Sequence, residues 1–197
     1  MTDFLFVGLG NPGPRYEATR HNSGFILIDQ FIDAAPLSVA GLPAQWSLDQ
    51  RAQALVATVQ MGEHRVICLK PQTFMNVSGK SVSHVARFYK ITPANIVVIH
   101  DELDLPFGTL RLKVGGGENG HNGLKSISQL LGTRDYVRLR CGIGRPPGRM
   151  NPADYVLAPF SPAEATELSI LSADAVEALS LCATRGLAVA QNWLHAR

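Results

Sequence analysis

Cysteine is scarce in this chain of 197 residues, and the few cysteines lie far apart. Cys68, Cys141 and Cys182 are an odd and scattered set, which excludes a disulfide framework and the paired spacing of a zinc site. We therefore expect reduced and mostly buried thiols, as in a cytosolic protein. None of the three is placed as an obvious nucleophile.

Long apolar segments and a strong charge of either sign are also absent. No apolar run approaches the roughly 20 residues that span a bilayer, and no basic segment followed by an apolar one marks a secretory signal. The formal net charge of +2 does not suggest a general nucleic-acid coat, but it permits a polyanionic partner if the basic residues cluster. These absences predict a cytoplasmic protein without a membrane partner.

Segments of strand length alternate with segments of helical periodicity. Strands are predicted at 4–9, 52–60, 65–70, 95–100, 109–114 and 136–143, helices at 22–34, 80–89, 122–131 and 162–193, and a loop at 36–43. Gly186 is the candidate break in the last helix. The alternation predicts an α/β fold: a single domain, residues 1–197, with a central mixed, mostly parallel, twisted sheet flanked by helices.

The segment after the first predicted strand, residues 8–13, reads GLGNPG and matches the G-x-G-x-x-G fingerprint of dinucleotide-binding loops. Such a loop needs a helix that begins at the glycines, because the pyrophosphate binds at the helix N-terminus. Here Pro12 and Pro14 interrupt the backbone N–H groups, and helical periodicity resumes only after Asn22. A nicotinamide-dependent oxidoreductase is therefore a disfavoured alternative. We expect the glycines to turn the chain sharply and to present Asn11 at the sheet edge.

Five polar residues fall just beyond predicted strands or at helix starts: Asn11, His21, Asn76, Asp101 and Asn122. Each alone is explained by a turn or a helix cap, but together they converge on the sheet edge where α/β proteins bind ligands. A histidine can take a proton from water, a carboxylate can orient that histidine, and amides can donate to an oxyanion. The pattern favours direct attack by water. No histidine pair has metal-ligand spacing, so we expect no metal and no cofactor.

Basic residues alternate with apolar ones in two of the predicted strands. Arg111 and Lys113 are predicted to point away from the core, and Arg138 and Arg140 share one face of a later strand. Most such charges are simply solvated. If these four cluster, they form a phosphate-binding patch despite the small net charge.

Four longer motifs carry a family resemblance. They read VGLGNPGxxYxxTRHNxG, KPxTFMNxSG, HDELDLPxG and GGGxxGHNGLxS, in this order between Phe4 and about Phe160. In these motifs the chain resembles bacterial-type peptidyl-tRNA hydrolases. The resemblance implies a cytoplasmic, monomeric enzyme that hydrolyses the ester between a peptide, or an N-blocked amino acid, and the 3′-terminal ribose of tRNA.

The same resemblance implies roles for individual residues. His21 is the general base, Asp101 is its partner, and Asn11 helps to distinguish blocked from free aminoacyl-tRNA. The implied substrate-binding residues are Tyr16, Phe74, Asn76, Asn122, Arg111, Lys113 and Arg140, of which the last three hold tRNA phosphates. Whether Asn76 or Asn122 supplies the oxyanion donor stays open.

Asn119 departs from the family pattern, which often has another glycine there, and we expect it to stiffen or shift its loop. A non-catalytic RNA-binding module on the same scaffold is a further alternative. The joint presence of His21, Asp101, Asn11 and Asn122 argues against it, because binding alone needs no proton acceptor.

Overall fold

The computed structural model describes residues 2–35, 38 and 40–197. Its central sheet has seven strands: β1 (Asp3–Gly8), β2 (Ser47–Asp49), β3 (Ala54–Met61), β4 (His64–Pro71), β5 (Ile96–Glu102), β6 (Leu110–Val114) and β7 (Val137–Gly142). Their order across the sheet is β2-β3-β4-β1-β5-β7-β6. Strands β4, β1, β5 and β7 run parallel, while β2, β3 and β6 pair antiparallel with their neighbours. The predicted mixed, mostly parallel sheet is confirmed.

Six α-helices surround the sheet within the described residues: α1 (Ser23–Ala34), α2 (Ser78–Phe88), α3 (Asn122–Leu131), α4 (Pro152–Val156), α5 (Pro162–Thr184) and α6 (Leu187–His195). One core cluster joins α2 and α3 to one face of the sheet. The other joins α1, α5 and α6 to the opposite face. No helix in the described ranges is long and apolar enough to cross a bilayer.

Strand β5 shows why the sheet could be predicted from apolar runs. All its residues are buried, because helices cover both faces of a parallel sheet. Its side chains alternate between the two clusters, with Val98 in the α2 and α3 cluster and Ile99 in the other. The carboxyl ends of β1, β4 and β5 meet at one edge, and Asp101 lies there, inside the end of β5 rather than after it.

The glycine-rich segment at 8–13 differs from its predicted role. Only Gly13 has a left-handed backbone, with φ +105°. Gly8 and Gly10 are required by close packing instead, since an added Cβ would overlap the start of α1 at Gly24 and the ring of Phe25. Helix α1 begins at Ser23 and not at the glycines, so the dinucleotide-binding geometry is absent here.

The C-terminal elements follow the prediction closely. Ser161 and Glu164 form a capping box at the start of α5, and Gly186, with φ +88°, separates α5 from α6. Two short elements, β2 and α4, were not predicted. The loop predicted at 36–43 contains Pro36, Leu37 and Val39, which lie outside the described residues.

Candidate active site

A cavity of about 340 Å³ opens at the carboxyl edge of the parallel strands. Six segments surround it: the turn after β1, the single helical turn Arg20–Asn22, the segment after β4, the end of β5, the loop before α3, and helix α4. The predicted site residues in its lining are Asn11, His21, Phe74, Asn76, Asp101 and Asn122. The structure therefore brings these six predicted residues together in one cavity.

His21 and Asp101 contact each other directly. The Nδ1 of His21 lies 3.0 Å from Oδ1 and 2.9 Å from Oδ2 of Asp101. Asp101 is only 4% exposed, so its charge acts on the imidazole through a poorly screened environment. The expected pairing of the two residues is confirmed as geometry.

His121 is a second imidazole on the same carboxylate, and the sequence analysis gave it no role. Its Nε2 lies 2.9 Å from Oδ1 of Asp101. Its Nδ1 accepts the backbone N–H groups of Gly123 and Leu124 and so caps α3. Because Nδ1 must be unprotonated to accept, the hydrogen-bond pattern assigns the proton to Nε2, which donates to Asp101.

The protonation of the pair follows from this arrangement. Burial raises the pKa of Asp101, but the charges and hydrogen bonds of His21 and His121 outweigh it, and the net pKa is far below the usual value. Burial lowers the pKa of His21, but the charge and hydrogen bond of Asp101 raise it above the usual value. A negative Asp101 requires Nδ1–H on a neutral His21, which leaves its Nε2 as an acceptor. That nitrogen makes no hydrogen bond within the described residues.

A third histidine contacts the backbone of Asp101. His100 is buried, and its Nδ1–H donates to the backbone carbonyl of Asp101 over 2.7 Å. Its ring meets His121 edge to face with centroids 5.2 Å apart. Burial, followed by the neighbouring His121, lowers the pKa of His100 to about 3, so the ring stays neutral. His100 thus fixes the backbone of Asp101 without adding a charge.

The cluster of His21, Asp101 and His121 has donor atoms within 4.8 Å of one another, the spacing of a metal site. Its hydrogen-bond pattern does not fit a metal ion. A metal at Nε2 of His121 would require the proton on Nδ1, where it would oppose two backbone N–H donors. The three residues are therefore arranged for proton handling.

Asn11 is fixed by neighbours on both sides. Its backbone N–H donates to Oδ1 of Asn22, whose Nδ2 donates back to the carbonyl of Asn11. Its own Oδ1 accepts the N–H of Met75 over 2.8 Å. The amide orientation is thus set, and Nδ2 is left as the donor toward the cavity. The buried Asn22 is a positioning residue that the sequence analysis did not identify.

The other predicted substrate-binding residues divide into two groups. Phe74, Asn76 and Asn122 are exposed at the cavity mouth, and Phe74 is 63% exposed. Phe74 therefore does not anchor its loop in the core. Asn122 is not the cap of α3, because His121 takes that position. Tyr16 lies in the turn before His21 and does not line the cavity.

The four basic residues on β6 and β7 share one face of the sheet. The strand register pairs Arg111 with Arg140 and Lys113 with Arg138. Arg138 is buried and donates to the carbonyls of Gly116 and Gly117, so it anchors the glycine-rich loop. The other three are partly or fully exposed.

Glu102 connects this basic face to the cavity. Its carboxylate accepts from Nε of Arg140 over 3.3 Å and from Nδ2 of Asn119 over 3.4 Å. Asn119 has φ +49°, a left-handed conformation that asparagine tolerates better than most residues. Asn119 thus adopts a left-handed conformation and contacts Glu102 with its side chain.

Arg20 ties the His21 segment to the C-terminal part of the chain, a contact that no motif predicted. Its guanidinium pairs with Glu164 over 2.8 Å and donates to the carbonyl of Pro159 over 3.0 Å. The same group lies over the ring of Tyr155, 4.3 Å from its centroid. The start of α5 and the cavity wall are therefore joined beside the histidine.

The cysteines take no part in this site. All three are free and buried. Burial raises the pKa of Cys141 and Cys182 to about 12 and that of Cys68 still further. The thiolate needed for nucleophilic attack is therefore disfavoured at each position.

Comparison with known proteins gives a consistent result. Residues 5–197 match the family model described as peptidyl-tRNA hydrolase. The chain is 53% identical over 191 residues to peptidyl-tRNA hydrolase of Rhodococcus opacus, covering 97% of each chain. It is 48% identical over 192 residues to that of Mycobacterium tuberculosis, covering 98% of this chain and 97% of the relative.

A solved structure resembles the whole fold. The crystal structure of peptidyl-tRNA hydrolase from Acinetobacter baumannii aligns with a TM-score of 0.89 at 35% identity, covering 98% of this chain and 94% of that one. The family match spans nearly the whole sequence, including every residue of the cavity lining. This chain belongs to the peptidyl-tRNA hydrolase family, whose members hydrolyse peptidyl-tRNA.

Proposed function

We propose that this protein hydrolyses the ester between a peptide, or an N-blocked amino acid, and the 3′-terminal ribose of tRNA. His21 acts as the general base, and Asp101 orients it. Water is the nucleophile. The observation that carries the proposal is the carboxylate of Asp101 between two imidazole donors, which leaves Nε2 of His21 as the acceptor in the cavity lining.

The reaction follows from that arrangement. Nε2 of His21 accepts a proton from water as the water oxygen attacks the acyl carbon, and Asp101 stabilises the imidazolium that forms. The tetrahedral intermediate collapses with cleavage of the acyl–oxygen bond, and the imidazolium returns a proton to the departing ribose oxygen. The products are the free peptide and tRNA with an intact 3′ end.

Amide donors complete the site. The hydrogen bond from Met75 to Oδ1 of Asn11 fixes the amide, so that Nδ2 of Asn11 donates toward the acyl group. This contact supports the selection of N-blocked substrates. Asn76 and Asn122 lie at the cavity mouth, and one of them supplies an oxyanion donor. Both are exposed, so substrate binding has to order them.

The tRNA end and its phosphates have separate partners. The exposed ring of Phe74 stacks on the terminal base or ribose. Arg111, Lys113 and Arg140 bind phosphates on the face beside the cavity. Tyr16 lies outside the cavity lining, so it can contact only a part of the substrate that extends beyond the cavity.

The experiment is a turnover assay with N-acetylaminoacyl-tRNA, comparing wild type with His21→Ala. The rate should fall roughly 10²–10⁴-fold, the usual contribution of a general base. His64→Ala is the matched control, because His64 begins β4 at the opposite edge of the sheet. Wild-type turnover by the His21→Ala variant would remove the histidine from its role. Tight tRNA binding without any wild-type turnover would favour the binding-module alternative.

We further propose that the protein acts as a monomer in the cytoplasm, where peptidyl-tRNA is formed. Sedimentation at assay concentrations should give a mass near 21.3 kDa. A stable dimer under those conditions would contradict this part of the proposal.

A further inference from the structure

The helices on the two faces of the sheet carry opposite charges. Helices α2 and α3 contain lysine and arginine but no acidic residue, whereas α1 and α5 contain aspartate and glutamate but no lysine or arginine. Residues 64–100, which include α2, contain no acidic residue at all. The net charge of +2 thus conceals a separation of charge across the molecule.

One side of α2 concentrates this positive charge at the surface. Lys80, His84 and Arg87 are exposed and follow one another at intervals of four and three residues, so they lie on one side of the helix. Within the described ranges none of the three takes part in an ion pair. Together with Ser83, Phe88 and Leu130, they line a groove of about 520 Å³. We call Lys80, His84 and Arg87 the α2 surface.

The α2 surface faces the same side of the sheet as the basic residues on β6 and β7. Leu112 and Leu139 belong to the core cluster on the α5 side. Arg111, Lys113 and Arg140 therefore point to the α2 and α3 side. Lys125 is exposed on α3, which packs on this same face. A polyanion bound along this side would meet basic residues over the width of the sheet.

The α2 surface extends away from the reaction centre, from Lys80 near the first turn of α2 to Arg87 near its last turn. Helix α2 starts two residues after Asn76, which lines the cavity. At roughly 1.5 Å per residue, Arg87 lies about 15 Å along the helix, which corresponds to roughly four stacked nucleotides. A tRNA whose 3′ end stays stacked must therefore extend beyond its last three nucleotides to reach Arg87 from the cavity.

We propose that the α2 surface is a second RNA-contact surface, which binds backbone phosphates of the tRNA beyond the 3′ end held in the cavity. The proposal rests on the proposed function and extends it. Charge complementarity selects RNA over a protein partner, because the centres of protein interfaces are depleted of charged residues, whereas phosphate contacts require lysine and arginine. Phe88, 70% exposed, adds an apolar surface against which sugars can pack.

The test compares two substrates with Lys80→Gln/Arg87→Gln. One substrate is full-length N-acetylaminoacyl-tRNA, and the other is the N-acetylaminoacyl ester of the trinucleotide CCA. For the full-length substrate, KM should rise roughly tenfold at low salt with kcat unchanged, and the slope of log KM against log salt should fall by about two. For the trinucleotide ester kcat should stay unchanged and KM should rise much less, because this substrate does not reach Arg87.

Two further variants make the outcome decisive. Arg185→Gln/Arg197→Gln removes the same charge from exposed positions near the ends of α5 and α6 and should leave KM for both substrates unchanged. His84→Lys adds a charge within the α2 surface and should lower KM for the full-length substrate alone. The proposal is overturned by equal effects on both substrates, by the same effect in the control pair, or by no effect.

A dimer that forms in wild type and dissociates in Lys80→Gln/Arg87→Gln, with KM unchanged, would assign the α2 surface to a second copy of the chain and also overturn the proposal. Failure of this inference is separable from failure of the proposed function. Wild-type hydrolysis of the trinucleotide ester supports the proposed reaction whatever the α2 variants do.

Discussion

At the scale of single residues, the site is organised around one carboxylate. Asp101 accepts hydrogen bonds from His21 and His121, and its backbone carbonyl accepts a third from His100. The two contacts to the carboxylate have different consequences. The contact with His21 raises the pKa of His21, while the contact with His121 disperses the charge that causes this rise.

His121→Asn separates the two functions of His121. The asparagine side chain can still cap α3, but it is too short to donate to Asp101. The charge of Asp101 then acts more fully on His21, so the pKa of His21 should rise further. The acidic limb of kcat/KM against pH should move upward by up to about one unit, since a protonated His21 cannot accept a proton.

The pH profile distinguishes a positioning role from a structural one. Loss of rate without a displacement of the acidic limb would mean that His121 serves only as the cap of α3. His64→Asn is a suitable control, because His64 begins β4 at the opposite edge of the sheet. Its profile should coincide with that of wild type.

At the scale of secondary-structure elements, the crossing of α2 and α3 sets the position of two amides. Gly79 donates its N–H to Oγ of Ser126, and an added Cβ would overlap the carbonyl of Ser126. Asn76 lies just before α2, and Asn122 is the first residue of α3. The close approach of these helices therefore holds both amides at one cavity.

Gly79→Ala should separate the two helices. Overpacking of this kind costs roughly 1–3 kcal/mol, so thermal or denaturant unfolding should show reduced stability, and turnover should fall because the two asparagines move apart. Gly117→Ala is the control, because the nearest atom to its added Cβ is at 3.8 Å. Equal stability of the two variants would contradict the packing explanation.

The same elements explain what the sequence could predict. Apolar runs such as 96–99 predicted the buried strands, because coverage on both faces of the sheet requires such runs. The close-packing role of Gly8 and Gly10 depends on α1, which lies beside them only in the folded chain. The elements β2 and α4 have three and five residues, too few for a periodicity to be recognised.

The candidate site, too, could be predicted from the sequence only in part. Motifs and strand ends identified His21, Asp101 and the three asparagines. They could not identify His121, since its link to Asp101 depends on which ring nitrogen caps α3. Asn22 and Arg20 were missed for a similar reason, because their partners lie 11 and 144 residues away in the sequence.

At the scale of the whole molecule, charge is distributed by face, and the sum of +2 is uninformative. The alternation of Arg111 and Lys113 with leucines predicted on which face of the sheet they lie. The burial of Arg138 could not be predicted, because it depends on the carbonyls of the glycine-rich loop. The result is a cavity at one edge of the sheet beside a basic face.

Arg111→Ala/Lys113→Ala tests this basic face. The substitutions should weaken binding of tRNA and lower the slope of log Kd against log salt by about one for each phosphate that the variant no longer binds. Binding titrations at several salt concentrations measure this slope. A slope equal to that of wild type would place the phosphate-binding residues elsewhere on the molecule.

The central claim is that a neutral His21, oriented and made more basic by Asp101, accepts the proton of water. Its most direct test is the pH dependence of kcat/KM for N-acetylaminoacyl-tRNA in wild type and in Asp101→Asn. Wild type should lose activity as pH falls through a pKa above the usual 6.5 of histidine. In Asp101→Asn that limb should move to lower pH, because the charge that raised the pKa is gone, and the plateau should fall roughly 10²–10⁴-fold. An unchanged limb and plateau in a folded Asp101→Asn variant would contradict the account.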